Sequence, residues 1–390
     1  MKKKIIYIYF LTPRMHSSLK VMINNPPKGY EFVLAENKAK IGFLSFALNS
    51  KILRFIYRNI VKKLFDPVDI YEKVYSTKIP ENVDLVFSTG AALNINKPWI
   101  VEILDSPYSL AGYDYNLFIK NKDEIESKLL SPFCKRIIVV NEASYDLMKK
   151  HFSKEVMNKA KLVRAAVELP KIKKKIKKKN MQIIFIGSIA NPDDFLIKGG
   201  LEALETFKRI SQEFDNVNLV VRCKIPEDIK MKYKNVKNIS FVDYPLSSEH
   251  FNKLFSDSDI MLNPGCIYVL MSTLEAMSYG IPIIFLDTYS VRDYIINGVT
   301  GILIKPSENI KGYKSPAYPS NIRSKEFISE INNLDDRVID DLYFAVKKLI
   351  INSKLRHRLG KNGRKLVSTK FSIKIRNKKL KKIFDEALIS

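Results

Sequence analysis

The chain has 390 residues, which excludes one small domain, since compact units run to roughly 150 residues. Hydrophobic residues make up 46% and aromatics 11%, enough to fill sizeable cores and to exclude a mainly disordered chain. Lys and Arg number 66 against 41 Asp and Glu; the surplus of 25 favours anionic partners such as nucleic acid, acidic lipid or phosphorylated metabolites.

The start, Met1 to Leu11, imitates a signal peptide, but its apolar run is short and meets Pro13-Arg14 instead of a small-residue cleavage site. It reads as a first buried strand. Further β-rich apolar runs follow at Leu85–Ser88, Trp99–Leu104, Ile137–Val140, Ile183–Ile186, Leu219–Val221, Ile239–Val242, Ile260–Leu262 and Ile283–Leu286. Amphipathic stretches separate them, so the expected class is α/β: parallel sheets covered on both faces. Between Pro170 and Met181 seven of ten positions are lysine, a composition suited to an exposed linker. The expected plan is therefore a first domain over 1–170, a linker over 171–180, a second domain over 181–370 and a terminal helix over 371–390 crossing back to the first. Each domain would hold a doubly wound, Rossmann-like sheet, the two facing across a cleft, with ligands at the carboxyl ends of the strands. Pro306 to Asp336 lacks periodicity and reads as an irregular surface excursion. Cys134, Cys223 and Cys266 form no C-x-x-C pair, which fits a reducing cytosol. No apolar run reaches the 18 residues that would span a bilayer.

Two stretches of the second half carry candidate chemistry. The strand ending at Ile186 runs into Gly187-Ser188, and Lys198-Gly199-Gly200 opens the next long helix; a lysine beside free helical N–H groups suits an anion. Further on, Ser272-Thr-Leu-Glu275 has the S-x-x-E spacing of a capping box. Glu275 then either satisfies the helix start or, in another rotamer, accepts two hydrogen bonds from a ribose diol.

Phe185-Ile-Gly-Ser188 with Lys198-Gly199, then Leu274-Glu-Ala-Met277 with Gly280-Ile-Pro282, Arg292 to Gly301, and Leu355 to Leu388 together resemble the retaining glycosyltransferases of family 4, glycosyl transferases group 1, which have the GT-B fold. The likeness implies a nucleotide-sugar donor held by Gly187, Ser188, Lys198, Ile267, Ser272, Thr273, Leu274 and Glu275. Lys198 would neutralise the donor diphosphate and Glu275 would hold the nucleotide ribose; the family often has arginine where Ser188 stands. The family's E-x7-E pattern places a glutamate eight residues before Glu275, where this chain has Ile267. In the first half Leu104 occupies a position where the family often has histidine. The nearby Glu102 and Asp105 would meet the acceptor, with Asp105 deprotonating its hydroxyl or merely capping Ser106-Pro107. Arg14 and His16 complete the expected acceptor side.

His151, His250 and His357 share no ligand-like spacing, so neither a metal nor another cofactor is expected beyond the nucleotide-sugar co-substrate. In Leu44–Phe65, Lys51, Arg54, Arg58 and Lys62 form a basic stripe beside apolar residues, either the solvated edge of a core helix or an interfacial helix on anionic lipid. Cytoplasmic placement, at the inner face of the membrane in the second case, follows from that reading. The expected acceptor is a glycan, lipid-linked or cell-surface polysaccharide. The competing readings are a catalytically silent GT-B scaffold and a basic nucleic-acid binder, the latter without any recognisable motif, so no nucleic acid is expected.

Overall fold

The structure, a computed structural model, describes residues 3–10, 15–34, 79–170, 180–189, 193–267 and 270–389. These form two compact units, Met1–Ala165 with Ile373–Ser390, and Ala166–Ser372.

The first unit holds β1 (Lys4–Phe10), β2 (Tyr30–Leu34), β3 (Leu85–Thr89), β4 (Trp99–Ile103), β5 (Cys134–Val139) and β6 (Ala160–Leu162). They pair in the order β2-β1-β3-β4-β5-β6, parallel throughout. Alternation sorts the faces of β4: Trp99, Val101 and Ile103 enter one core, while Ile100 enters another with Leu380, Ile383 and Phe384. The helix Ile373–Ile389 thus covers one face of this sheet, with Phe384 edge-on to Tyr30 and Phe87.

The second unit repeats the plan with β7 (Met181–Ile186), β8 (Val217–Arg222), β9 (Ile239–Phe241), β10 (Ile260–Asn263), β11 (Ile283–Leu286) and β12 (Gly301–Ile304), ordered β12-β11-β10-β7-β8-β9. Its inner strands are buried on both faces, β7 contributing Ile183 and Phe185 and β10 contributing Ile260 and Leu262 to a single core. The order reverses beside β7, between β7 and β10. Such a switch point leaves a crevice outside the carboxyl ends of the strands, where ligands of α/β sheets bind.

The strands absent from the sequence reading are β2, β6 and β12, and all three lie at sheet edges. An edge strand is covered on fewer sides and can be short or partly exposed: β6 has three residues, and Tyr30–Leu34 passes from a buried Tyr30 to exposed Val33 and Leu34. The excursion expected over Pro306–Asp336 is not wholly irregular. It contains the helix Lys325–Asn332 and packs Ile310, Ile322, Phe327 and Ile331 around Cys266. Its helix is only eight residues long, too short for a convincing 3.6-residue period. All three cysteines are free and buried. The lysines at 171–179 and the basic stripe at 44–65 lie outside the described residues. Among the described residues no helix is long and apolar enough to cross a membrane.

Candidate active site

At the switch point of the second unit the loops after β7 and β10 meet backbone to backbone. Asn263, fully buried, accepts from the Ile186 amide at 3.0 Å and donates to the Ile186 carbonyl at 2.8 Å, fixing the two strand ends together. Gly199 sits at φ +79°, where a Cβ would come 2.1 Å from the Pro264 carbonyl oxygen. At Gly265 a Cβ would meet Lys198 Cα at 2.8 Å. Only glycine allows so close an approach. The Cys266 amide donates to the Ile197 carbonyl at 2.8 Å, so Ile267, which bridges to Tyr289, is tied to the loop that carries Lys198.

Lys198 follows the short helix Asp193–Ile197. Its side chain is only 17% exposed, and Nζ stands 3.6 Å from the buried Asp194 carboxylate. That carboxylate also accepts from Arg323 at 2.6 Å. Burial pulls the Lys198 pKa below its ordinary value, opposed by Asp194.

Gly187 closes the strand end from the other side, where a Cβ would collide with Cys223 Sγ at 2.2 Å. The Ser188 carbonyl accepts from Cys223 Sγ at 3.2 Å and from the Lys224 amide at 2.8 Å. The loop after β8 therefore clamps Gly187-Ser188 in place. Arg222, the last residue of β8, donates from Nη1 to the Gly187 carbonyl at 2.9 Å and lies over the Phe251 ring.

Glu275 lies in the helix Leu270–Ser278. The capping box fails: the helix has begun two residues before Ser272, so Ser272 is not its cap. The Glu275 carboxylate is half-buried and takes no hydrogen bond or ion pair among the described residues. Burial pushes its pKa up to about 7, with Arg222 pulling the other way. Thr273 Oγ1 is buried without a hydrogen-bond partner among the described residues, Ser272 is buried and engaged, and Leu274 is wholly buried, leaving it only its backbone to offer a ligand.

In the first unit, Arg14 lies outside the described residues. His16 caps the helix Ser17–Asn24, its Nδ1 accepting from the Ser18 amide at 3.3 Å. Glu102 falls on the face of β4 that the terminal helix covers. Burial raises its pKa to about 7, against the pull of Arg376; Arg376 is itself lowered to about 10 by burial. Asp105 is half-buried beyond the end of β4 and engaged within the protein. Among the described residues no His, Cys, Asp and Glu gather as metal ligands would.

Residues 180–314 match the family described as Glycosyl transferases group 1, about a third of the chain and the stretch that contains Gly187, Lys198 and Glu275. Among solved structures the chain is similar to Alr3699/HepE of Anabaena in complex with UDP-glucose, at 11% identity and TM-score 0.61, covering 98% of this chain and 99% of that one. It is similar to a glycosyltransferase from Rickettsia africae ESF-5 at 12% identity and TM-score 0.59, covering 99% of each. A third is the pneumococcal O-GlcNAc transferase GtfA in complex with UDP and GlcNAc, at 13% identity and TM-score 0.57, covering 78% of this chain and 57% of that one. The curated proteins give no match. At such identities the likeness shows the fold, the GT-B class of two parallel α/β sheets.

Proposed function

We propose that the protein is a retaining glycosyltransferase of family 4, moving a sugar from a nucleotide-sugar to a hydroxyl of a glycan, lipid-linked or cell-surface polysaccharide acceptor. The observation that carries this reading is the grouping of Gly187, Ser188 and Lys198 at the switch point of a parallel sheet, within the stretch that matches Glycosyl transferases group 1. The unpaired carboxylate of Glu275 in the same stretch adds to it. The roles are as follows. Tight loops at Gly187 and Gly199 let the backbone approach the donor phosphates. Lys198 stabilises the departing nucleotide diphosphate, and electrostatic help of that kind is commonly worth about 10²-fold or more in rate. Glu275 accepts from the ribose diol. Arg14, His16, Glu102 and Asp105 serve the acceptor, whose proton passes to a donor phosphate oxygen on the same face. No metal enters these steps, so EDTA should leave turnover unchanged.

The neighbours crystallised with UDP and UDP-glucose make UDP-sugars the first donors to try. Incubation with UDP-glucose or UDP-GlcNAc and a panel of polysaccharide and lipid-linked acceptors should release UDP. Product NMR should show the donor's anomeric configuration, and Lys198→Met should lose at least about 10² in kcat. Inversion would remove the retaining assignment. The silent scaffold stays as a second reading because Ile267 offers no carboxylate and Asp194 partly neutralises Lys198; nucleotide binding without turnover of any donor would select it. The basic stripe at 44–65 is proposed to hold the protein at anionic membrane on the cytoplasmic side. Vesicle binding that ignores salt, or that survives reversal of Arg54 and Arg58 to Glu, would remove that part.

A further inference from the structure

The cation that the site turns toward an anion need not be Lys198. The Lys198 ammonium already faces the Asp194 carboxylate at 3.6 Å. Arg222 differs. It stands at the carboxyl end of β8, one strand from the switch, on the loop that clamps Gly187-Ser188. Among the described residues no carboxylate lies within ion-pair distance of it, and a single one of its five N–H donors, on Nη1, takes a protein acceptor, the Gly187 carbonyl. Its Nε–H is buried and has no partner among the described residues. An under-satisfied guanidinium held in a half-buried place costs stability, and such a group calls for an explanation beyond folding. The Phe251 ring beneath it at 5.2 Å and the Gly187 contact fix its plane, which favours the planar two-pronged recognition that guanidinium gives to phosphate.

We propose that Arg222 is a phosphate-binding residue of this site, holding the diphosphate of the bound nucleotide beside Gly187 and Ser188. The proposal deepens the glycosyltransferase reading and rests on it for the identity of the ligand. Burial pulls the Arg222 pKa below its ordinary value, opposed by Cys223 and then Glu275; an arginine guanidinium is not deprotonated in proteins.

Calorimetric titration of the full chain with UDP, uridine and inorganic pyrophosphate, for wild type, Arg222→Met and Arg222→Lys, tests it. Loss of a charge-assisted contact should weaken UDP and pyrophosphate by about 10- to 100-fold in the Met variant and leave uridine unchanged. The Lys variant should recover part of the loss; it also covers the case in which the Met variant fails to fold. An equal loss for uridine and UDP would make Arg222 a structural or base contact and overturn the proposal. So would unchanged affinity for both anions, or no binding of either by the wild type. Arg222-dependent pyrophosphate binding without any UDP binding would keep the anion site and remove the nucleotide-sugar reading instead.

Discussion

Glu275 is a carboxylate placed where burial works against its charge. Its pKa is raised to about 7, so the folded protein holds the proton more tightly than the unfolded chain. Stability is then fully present below the ordinary carboxylate range and is lost as pH rises through about 7. Glu275→Gln should therefore melt with wild type near pH 4 and above it at pH 8. Nucleotide affinity should run the opposite way: as a ribose ligand, wild type binds better as pH rises through about 7, while the Gln variant binds weakly and without that dependence. A Gln variant with wild-type affinity at every pH would detach Glu275 from the ligand. Glu202, in the first turn of the helix Gly200–Glu213, provides an internal control. Burial raises it further, to about 8, although a helix start favours negative charge. Glu202→Gln should gain melting temperature over wild type progressively from pH 5 to above pH 8, with no change in nucleotide affinity. Lys198 and Glu275 could be singled out as candidates in the sequence because each sits in a short local pattern, although the capping spacing at Glu275 is not used in the fold. Asp194, Arg323 and Arg222 were not, because their meaning lies in contacts between segments: Arg323 reaches Asp194 across 129 positions, and Arg222 reaches Gly187 across 35. The one local signal for Arg222 was a cation ending an apolar strand at the ligand side of a parallel sheet.

The loops at the switch point are elements whose shape depends on missing side chains. Gly199 combines a left-handed φ with an approach that any Cβ would block, so Gly199→Ala should destabilise by about 2–4 kcal/mol and abolish nucleotide binding. Gly112 offers the contrast. It ends the turn Pro107–Ala111 at φ +65° with nothing within 4 Å of an added Cβ, so Gly112→Ala should cost only the conformational term, about 1 kcal/mol. Urea titration of the two variants measures the difference, and equal costs would mean that the Lys198 and Pro264 loops do not pack as described. At this scale the buried strands were readable because both faces are apolar, whereas of the edge strands described only β9 was. In the terminal stretch Gly360 lies where a Cβ would meet the Gly280 carbonyl oxygen at 1.9 Å, a close approach that charge patterning does not reveal.

The two units do not follow one another along the chain, since the last 18 residues from Ile373 cluster with the first unit. The terminal helix gives that unit Leu380, Ile383, Phe384 and Ala387. Three of these are large side chains whose burial is worth roughly 1.5–3 kcal/mol each, a sum comparable with the whole stability of a domain, about 5–15 kcal/mol. Polar ties reinforce them: Tyr30 donates to Asp385 at 2.6 Å, Arg136 meets Glu386 at 3.1 Å, and Arg376 donates to the Asn25 carbonyl at 3.2 Å while its charge offsets the burial of Glu102. The second unit closes without this helix, its Val167 amide donating to the Phe371 carbonyl at 3.0 Å and its core drawn from residues 181–359. Truncation after Ser372 should therefore unfold one unit and spare the other. Brief thermolysin treatment of the truncated chain should degrade the strands of the first unit, β1 to β6, and leave those of the second, β7 to β12, intact, where the full chain keeps both sets. Arg376→Met refines the prediction, because it keeps the apolar seam but removes the cation beside Glu102. That carboxyl should then titrate above 7, so the two proteins should lose stability in parallel up to about pH 7 and the variant should fall behind wild type only as pH rises further. A truncated chain whose first unit remains resistant would mean that the sheet closes on its own, and that the helix serves a role other than completing the core.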